Sequence, residues 1–125
     1  MSALDRRTPV PDIHVLPSGT RVTLRPVRLR DLESLGALAA RTGIVCDELE
    51  LARLVRSDPA QRLVLCAAAL EGAEPVLGVG VIELGHSATI PSLVLVDPAA
   101  GDGLARAIAE TLVQRARVLA GSLIA

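Results

Sequence analysis

The sequence predicts an α/β domain built on a mixed, largely antiparallel sheet flanked by helices. Three observations carry this expectation. Apolar patterns of period two and period 3.6 follow one another in the order strand, helix, helix, strands, helix. Gln61–Leu70 and Val76–Leu84 are apolar runs joined by Glu71-Gly72-Ala73-Glu74-Pro75, which reads as a hairpin. Ser92–Ala120 reads as an apolar run, a small-residue loop and a long amphipathic pattern, hence strand, glycine loop and helix.

The chain has 125 residues, which favours one domain at 18–125 preceded by an arm at 1–17. Half of it is apolar (50%) and 22% is charged, a composition that supports a packed globule. The arm carries prolines and scattered charges and is expected to be extended or partly disordered. No apolar run reaches the ~18 residues of a membrane span. Met1–Pro11 has no apolar core of a secretory signal, so a bacterial-type cytoplasm is the expected compartment. Net charge is −1, and all 13 cations are arginine. They form no basic block, so no nucleic-acid footprint is expected. Phe, Tyr and Trp are absent, which removes base stacking and phenolic acids from the available chemistry. An aliphatic core of this kind is expected to gain support from a second copy in a homodimer.

Element by element, Thr20–Val27 alternates Val22 and Leu24 against Arg21, Thr23 and Arg25, and Pro26 marks an edge or a strand end. Asp31–Thr42 places Leu32, Leu35, Leu38 and Ala39 on one helical face, with Gly43 at the C-cap. Asp47 opens a second helix, with Glu50 at capping-box spacing and Leu51, Leu54 and Val55 on its apolar side. The continuous apolar run of Gln61–Leu70 suits a strand buried on both faces. In Val76–Leu84, Gly78 and Gly80 signal a bulge or a close backbone approach. Ala88–Val96 is expected as a strand interrupted by Pro91. The last helix is expected from Gly103 to Ala120, burying Leu104, Ile108, Leu112, Ala116 and Leu119, with Gly121 as its cap and Ser122–Ala125 starting a further strand.

Few side chains outside the glycine loop point to chemistry. Cys46 and Cys66 lie far apart without metal spacing and read as reduced and structural, and no metal site is expected. His14 and His86 belong to no triad or zinc pattern. Gly78-x-Gly80 lies inside a strand, so it is no dinucleotide loop.

Together these segments resemble the GNAT superfamily of N-acetyltransferases. GTRVTLRPVRLRDLESLGAL is similar to that family's first strand and helix, in which an R-P-x-x-x-x-D run is frequent. VLGVGVIEL is similar to its third strand, and VLVDPAAGDGLARAIAETLVQRARVLAG to its fourth strand, acyl-CoA loop and third helix. The opening LPSGTRVTLRPV resembles the bacterial protein-lysine acetyltransferase branch. The resemblance spans Gly19–Ala125, with only SLIA available for the fifth strand, so a GNAT-like sheet lacking the usual C-terminal elements is expected.

The resemblance implies transfer of an acetyl group from acetyl-CoA to a small-molecule or protein amine. Its loop pattern, Q/R-x-x-G-x-G/A, falls on Ala100, Gly101, Asp102, Gly103, Leu104 and Ala105, with Leu95 and Val96 on the strand beside the donor. Gly103 and Ala105 match the pattern, and Ala100 stands where Gln or Arg is usual. Asp102 reads either as a helix-capping acid or as a like charge set against the pyrophosphate. The family's base is often a Glu near the fourth strand. Here Thr89, Ile90 and Pro91 hold those positions, and Glu83 is the remaining candidate, also readable as a solvated strand residue. The usual tyrosine acid has no counterpart. The alternative expectation is therefore a catalytically inactive GNAT-like module that binds a partner or acyl-CoA.

Overall fold

A computed structural model describes residues 12–44, 47–58, 60–70, 75–84, 90–100 and 103–124. Five strands form one sheet in the order β1 (Asp12–Val15), β2 (Arg21–Pro26), β3 (Arg62–Ala69), β4 (Val76–Glu83) and β5 (Leu93–Val96). Every neighbouring pair is antiparallel. Among the described residues three α-helices flank it: α1 (Leu32–Thr42), α2 (Glu48–Val55) and α3 (Leu104–Ile124).

The sheet separates two cores. Val22, Leu24, Leu65, Ala67 and Ile82 face α3 and pack on Leu104, Ile108, Leu112 and Ala116. Val64, Cys66, Val79 and Val81 face the other way and pack on Leu35, Leu38 and Leu51 of α1 and α2. The period-two pattern of β2 thus sends its aliphatic residues to α3 and Thr23 and Arg25 to the α1 side. β3 is buried on both faces, as its unbroken apolar run predicts. A register shift between Ala67 and Ala68 lets Val76 join the α1-side core although Gly78 and Gly80 face α3.

Those two glycines carry α3. A Cβ built on Gly78 would lie 2.8 Å from Ile108 Cδ1, and one on Gly80 would lie 2.7 Å from Leu112 Cδ1. Both distances are below any ordinary carbon contact, so the helix seats directly on the β4 backbone. Gly43 closes α1 in the left-handed region, at φ 77°, and Asp47 caps α2 by accepting from Glu50 N–H at 2.8 Å.

The structure corrects the sequence reading at three places. The extended arm ends in β1, which pairs Asp12–Val15 with Leu24–Arg21. The strand expected over Ala88–Val96 is confined to Leu93–Val96: Ile90–Ser92 are not strand, and 88–89 lie outside the described residues. Pro91 has no N–H for the ladder, which accounts for pairing that begins only after it. The last helix neither caps at Gly121 nor gives way to a strand, and it runs on to Ile124. Glycine inside a helix costs only ~1 kcal/mol, and each added residue makes another backbone bond, so propagation wins. Leu119, expected in the buried stripe, is 40% exposed.

Candidate functional site

The site is built where β5 runs into α3. Asp97 N–H donates to Leu77 O at 2.8 Å, which fixes the alternation of the last pairing. Residues 97 and 95 bond inward to β4, and the main-chain groups of Val94 and Val96 therefore face the outer edge of the sheet. Leu95 turns its side chain to the α1-side core and Val96 turns its own to the α3 side. Leu93 and Leu95 also border a wholly apolar pocket of about 50 Å³ with Leu35, Ala39, Ile44 and Leu51.

The chain leaves β5 through a turn organised by Asp97. One carboxylate oxygen accepts from Ala99 N–H at 2.9 Å, and the backbone carbonyl accepts from Ala100 N–H at 2.9 Å. The other carboxylate oxygen accepts from Arg41 Nε at 2.6 Å, and Arg41 Nη2 donates to Val76 O at 3.3 Å. Arg41 thus ties the end of α1 to the start of the loop. Ala100 is buried in a short 3-10 turn, Pro98–Ala100. Gly101 and Asp102 lie outside the described residues. Gly103 has φ 99°, a conformation that favours glycine and turns the chain into α3.

At the start of α3 the side chain of Leu104 is fully buried, and Ala105 and Arg106 are exposed. Ala107 N–H closes the first intrahelical bond on Gly103 O at 3.0 Å. The N–H groups of Leu104, Ala105 and Arg106 precede that bond, and so project from the positive end of the dipole. N–H groups placed in this way are of the kind that favour an anion. The Ala99 and Ala100 N–H groups, already bonded to Asp97, are not among them. Arg106 in this first turn is exposed and makes a long contact with Glu110 at 3.7 Å. Sequence matching pointed to Gly103, Leu104 and Ala105, which lie at this helix start, and passed over Arg106, one residue past the pattern. It also missed the Arg41–Asp97 pair, which joins residues far apart in the chain.

Glu83 is distant from this turn along the sheet. It ends β4 opposite Arg62 of β3 and is held by that guanidinium, with Arg62 Nη2 at 2.8 Å and Nε at 2.9 Å from Oε1. The pairing raises the Arg62 guanidinium above its ordinary range, chiefly through the hydrogen bond from Arg62 to Glu83. Pro91 and Ile90 sit beyond the N-terminal end of β5, and Thr89 lies outside the described residues. Among the described residues no group of His, Cys, Asp and Glu could hold a metal, and no helix is long and apolar enough to cross a membrane.

No family model matches the chain, and no curated protein matches it in sequence. Solved structures do. The chain is similar to the GNAT domain of S. lividans PAT, with a TM-score of 0.64 and 18% identity over 85% of this chain and 70% of that one. It is also similar to a cAMP-binding acyltransferase from Mycobacterium smegmatis, with a TM-score of 0.43 and 23% identity over 74% of this chain and 29% of that one. A mutant of that acyltransferase gives 0.48 and 27% over 78% and 32%. The fold of this chain is that of a GNAT domain.

Proposed function

We propose that this chain binds an acyl-CoA through the outer edge of β5 and the start of α3, and that it is an acyl-transfer module of the N-acetyltransferase kind. The observation that carries the reading is the juxtaposition of a strand edge at Val94 and Val96, on which no further strand pairs among the described residues, with a left-handed Gly103 and the first N–H groups of a long helix. The edge supplies ladder positions for an amide-bearing arm, and the helix start with Arg106 supplies the seat for a pyrophosphate. The apolar pocket beneath Leu93 and Leu95 has room for a short acyl group, acetyl being the first to test. When bound, such a donor supplies an activated thioester, and the acceptor that suits it is an amine.

Binding without turnover is the second reading, and one observation favours it. Among the described residues, Asp31, Glu83 and Asp97 are each held by an arginine, at 2.8, 2.8 and 2.6 Å. Each of these carboxylates must leave its guanidinium before it can reach an ammonium, and transfer needs a group that takes the ammonium proton. Release of free thiol from acetyl-CoA in the presence of mixed primary amines separates the two readings. Transfer requires amine-dependent thiol release, and a loss of at least about tenfold in Glu83→Gln would assign the base. Retained binding with no thiol release assigns the chain to the second reading. Asp102→Asn should raise acetyl-CoA affinity in either case, because it removes a negative charge one residue before Gly103 in the chain.

A further inference from the structure

We propose a second anion site, separate from the β5–α3 turn, in which Arg25, Arg28 and Arg30 hold an oxyanion of the phosphate class on the α1-side face of β2 and β3. A concavity of about 200 Å³ lies there, lined by Thr23, Arg25, Arg28 and Arg30 and floored by Ala68 and Ala69. The floor is flat because Ala68 stands opposite Thr23 in the register and carries only a methyl group. The same stretch holds the register shift between Ala67 and Ala68, a distortion of the kind that re-aims a strand beside a site. α1 packs over β4 and β5 and leaves this part of the sheet face to the loop that carries Arg28 and Arg30.

Among the described residues the charges around this concavity do not balance. Asp31 takes Arg25 in a two-bond pair, at 2.8 and 2.9 Å, and also accepts from Arg28 N–H at 2.7 Å. That carboxylate is saturated. The guanidiniums of Arg28 and Arg30 have no carboxylate partner among the described residues, and both side chains are exposed. Among the described residues these two forks and the third, which a buried carboxylate holds, repel one another, and an anion seated between them relieves that repulsion. Guanidiniums match phosphate oxygens two bonds at a time, and the Thr23 hydroxyl adds a neutral donor. The ligand class follows from this count: an oxyanion with at least two charges and several acceptor oxygens, small enough for the concavity.

The test is a titration of the full chain with inorganic phosphate, and then pyrophosphate, at low salt, followed by amide chemical shifts. The proposal requires saturable shifts at Thr23, Ala68 and Ala69. It requires affinity at least about tenfold weaker in Arg28→Ala/Arg30→Ala, and unchanged affinity in Arg53→Ala on α2. Arg28→Lys/Arg30→Lys keeps the charge but not the fork, so it should fall between wild type and the alanine variant. Shifts that never saturate, shifts centred on Leu104–Arg106 instead, or equal affinity in the alanine variant would overturn it. Acetyl-CoA binding is measured separately, so failure of this site leaves the reading of the β5–α3 turn to its own titration.

Discussion

Arg25 and Asp31 face each other across six residues of chain in a two-bond ion pair, at 2.8 and 2.9 Å, with side chains only 13% and 6% exposed. The pair closes the turn between β2 and α1. Asp31 also accepts from Arg28 N–H and so fixes the 3-10 entry to the helix. The R-P-x-x-x-x-D spacing noted in the sequence is the covalent record of this clamp. Removing either partner leaves a buried charge, so Arg25→Ala should cost about 3 kcal/mol by urea denaturation, and Asp31→Ala a similar amount. The double variant should cost clearly less than the sum of the two.

The clamp also sets a pH response. The hydrogen bond from Arg25 holds the Asp31 carboxyl below its usual range, against the opposing effect of burial and with help from Arg28 N–H. A depressed folded-state value means stability that is present above the unfolded carboxyl range, near ~3.9, and lost as pH falls through the folded value. Acid unfolding followed by circular dichroism should therefore be less steep in Asp31→Asn than in the parent. Equal acid profiles would remove Asp31 from the account.

Gly80 is the contact point of α3 on the sheet. Gly80→Ala forces its new methyl against Ile108 and Leu112, and should destabilise the fold by about 1–3 kcal/mol. Pairing it with Ile108→Val should recover part of that loss, because the clash is with that side chain. If the pair is additive in a double-mutant cycle, the glycine serves something other than helix seating.

Much of this was legible in the sequence because the periodicity is local. Val22 and Leu24, the stripe Leu104, Ile108 and Leu112, and the caps at Gly43 and Asp47 each follow from neighbours a few residues away. What was not legible depends on distant partners. Glycines in β4 announce a close approach without naming α3 as the element that approaches. Arg41 and Asp97 meet only after the sheet forms. The C-terminal SLIA reads as a strand by composition, yet its residues Ser122–Ile124 continue a helix that nothing local interrupts.

Cys66 gives a probe of the α1-side core. It is fully buried beside Asp31, and burial pushes its thiol up to about 11 from 9.0. Because the folded value lies above the unfolded one, this group's contribution is fully present below pH ~9 and is lost as pH rises through the folded value, a change of about 3 kcal/mol. The thiol should resist a disulfide reagent at pH 8 and react at the rate of unfolding. Rapid reaction without unfolding would show that the core around Val64 and Val79 opens locally.

Arg41 connects α1 to the donor turn through Asp97, whose side chain is 11% exposed. Arg41→Ala should cost about 1–2 kcal/mol in stability and weaken acetyl-CoA binding roughly tenfold, because Asp97 loses the partner that holds the turn. Arg53→Ala on α2, outside this connection, should change neither quantity.

The central claim is that the edge of β5 and the start of α3 together hold an acyl-CoA. Calorimetric titration of the full chain with acetyl-CoA at low salt tests it most directly, with Gly103→Val, which is strained at φ 99°, as the comparison. Saturable one-to-one binding in the micromolar range, at least about tenfold weaker in the folded Gly103→Val protein, is the result expected. No heat of binding at millimolar acetyl-CoA, from protein shown to be folded, would contradict the account.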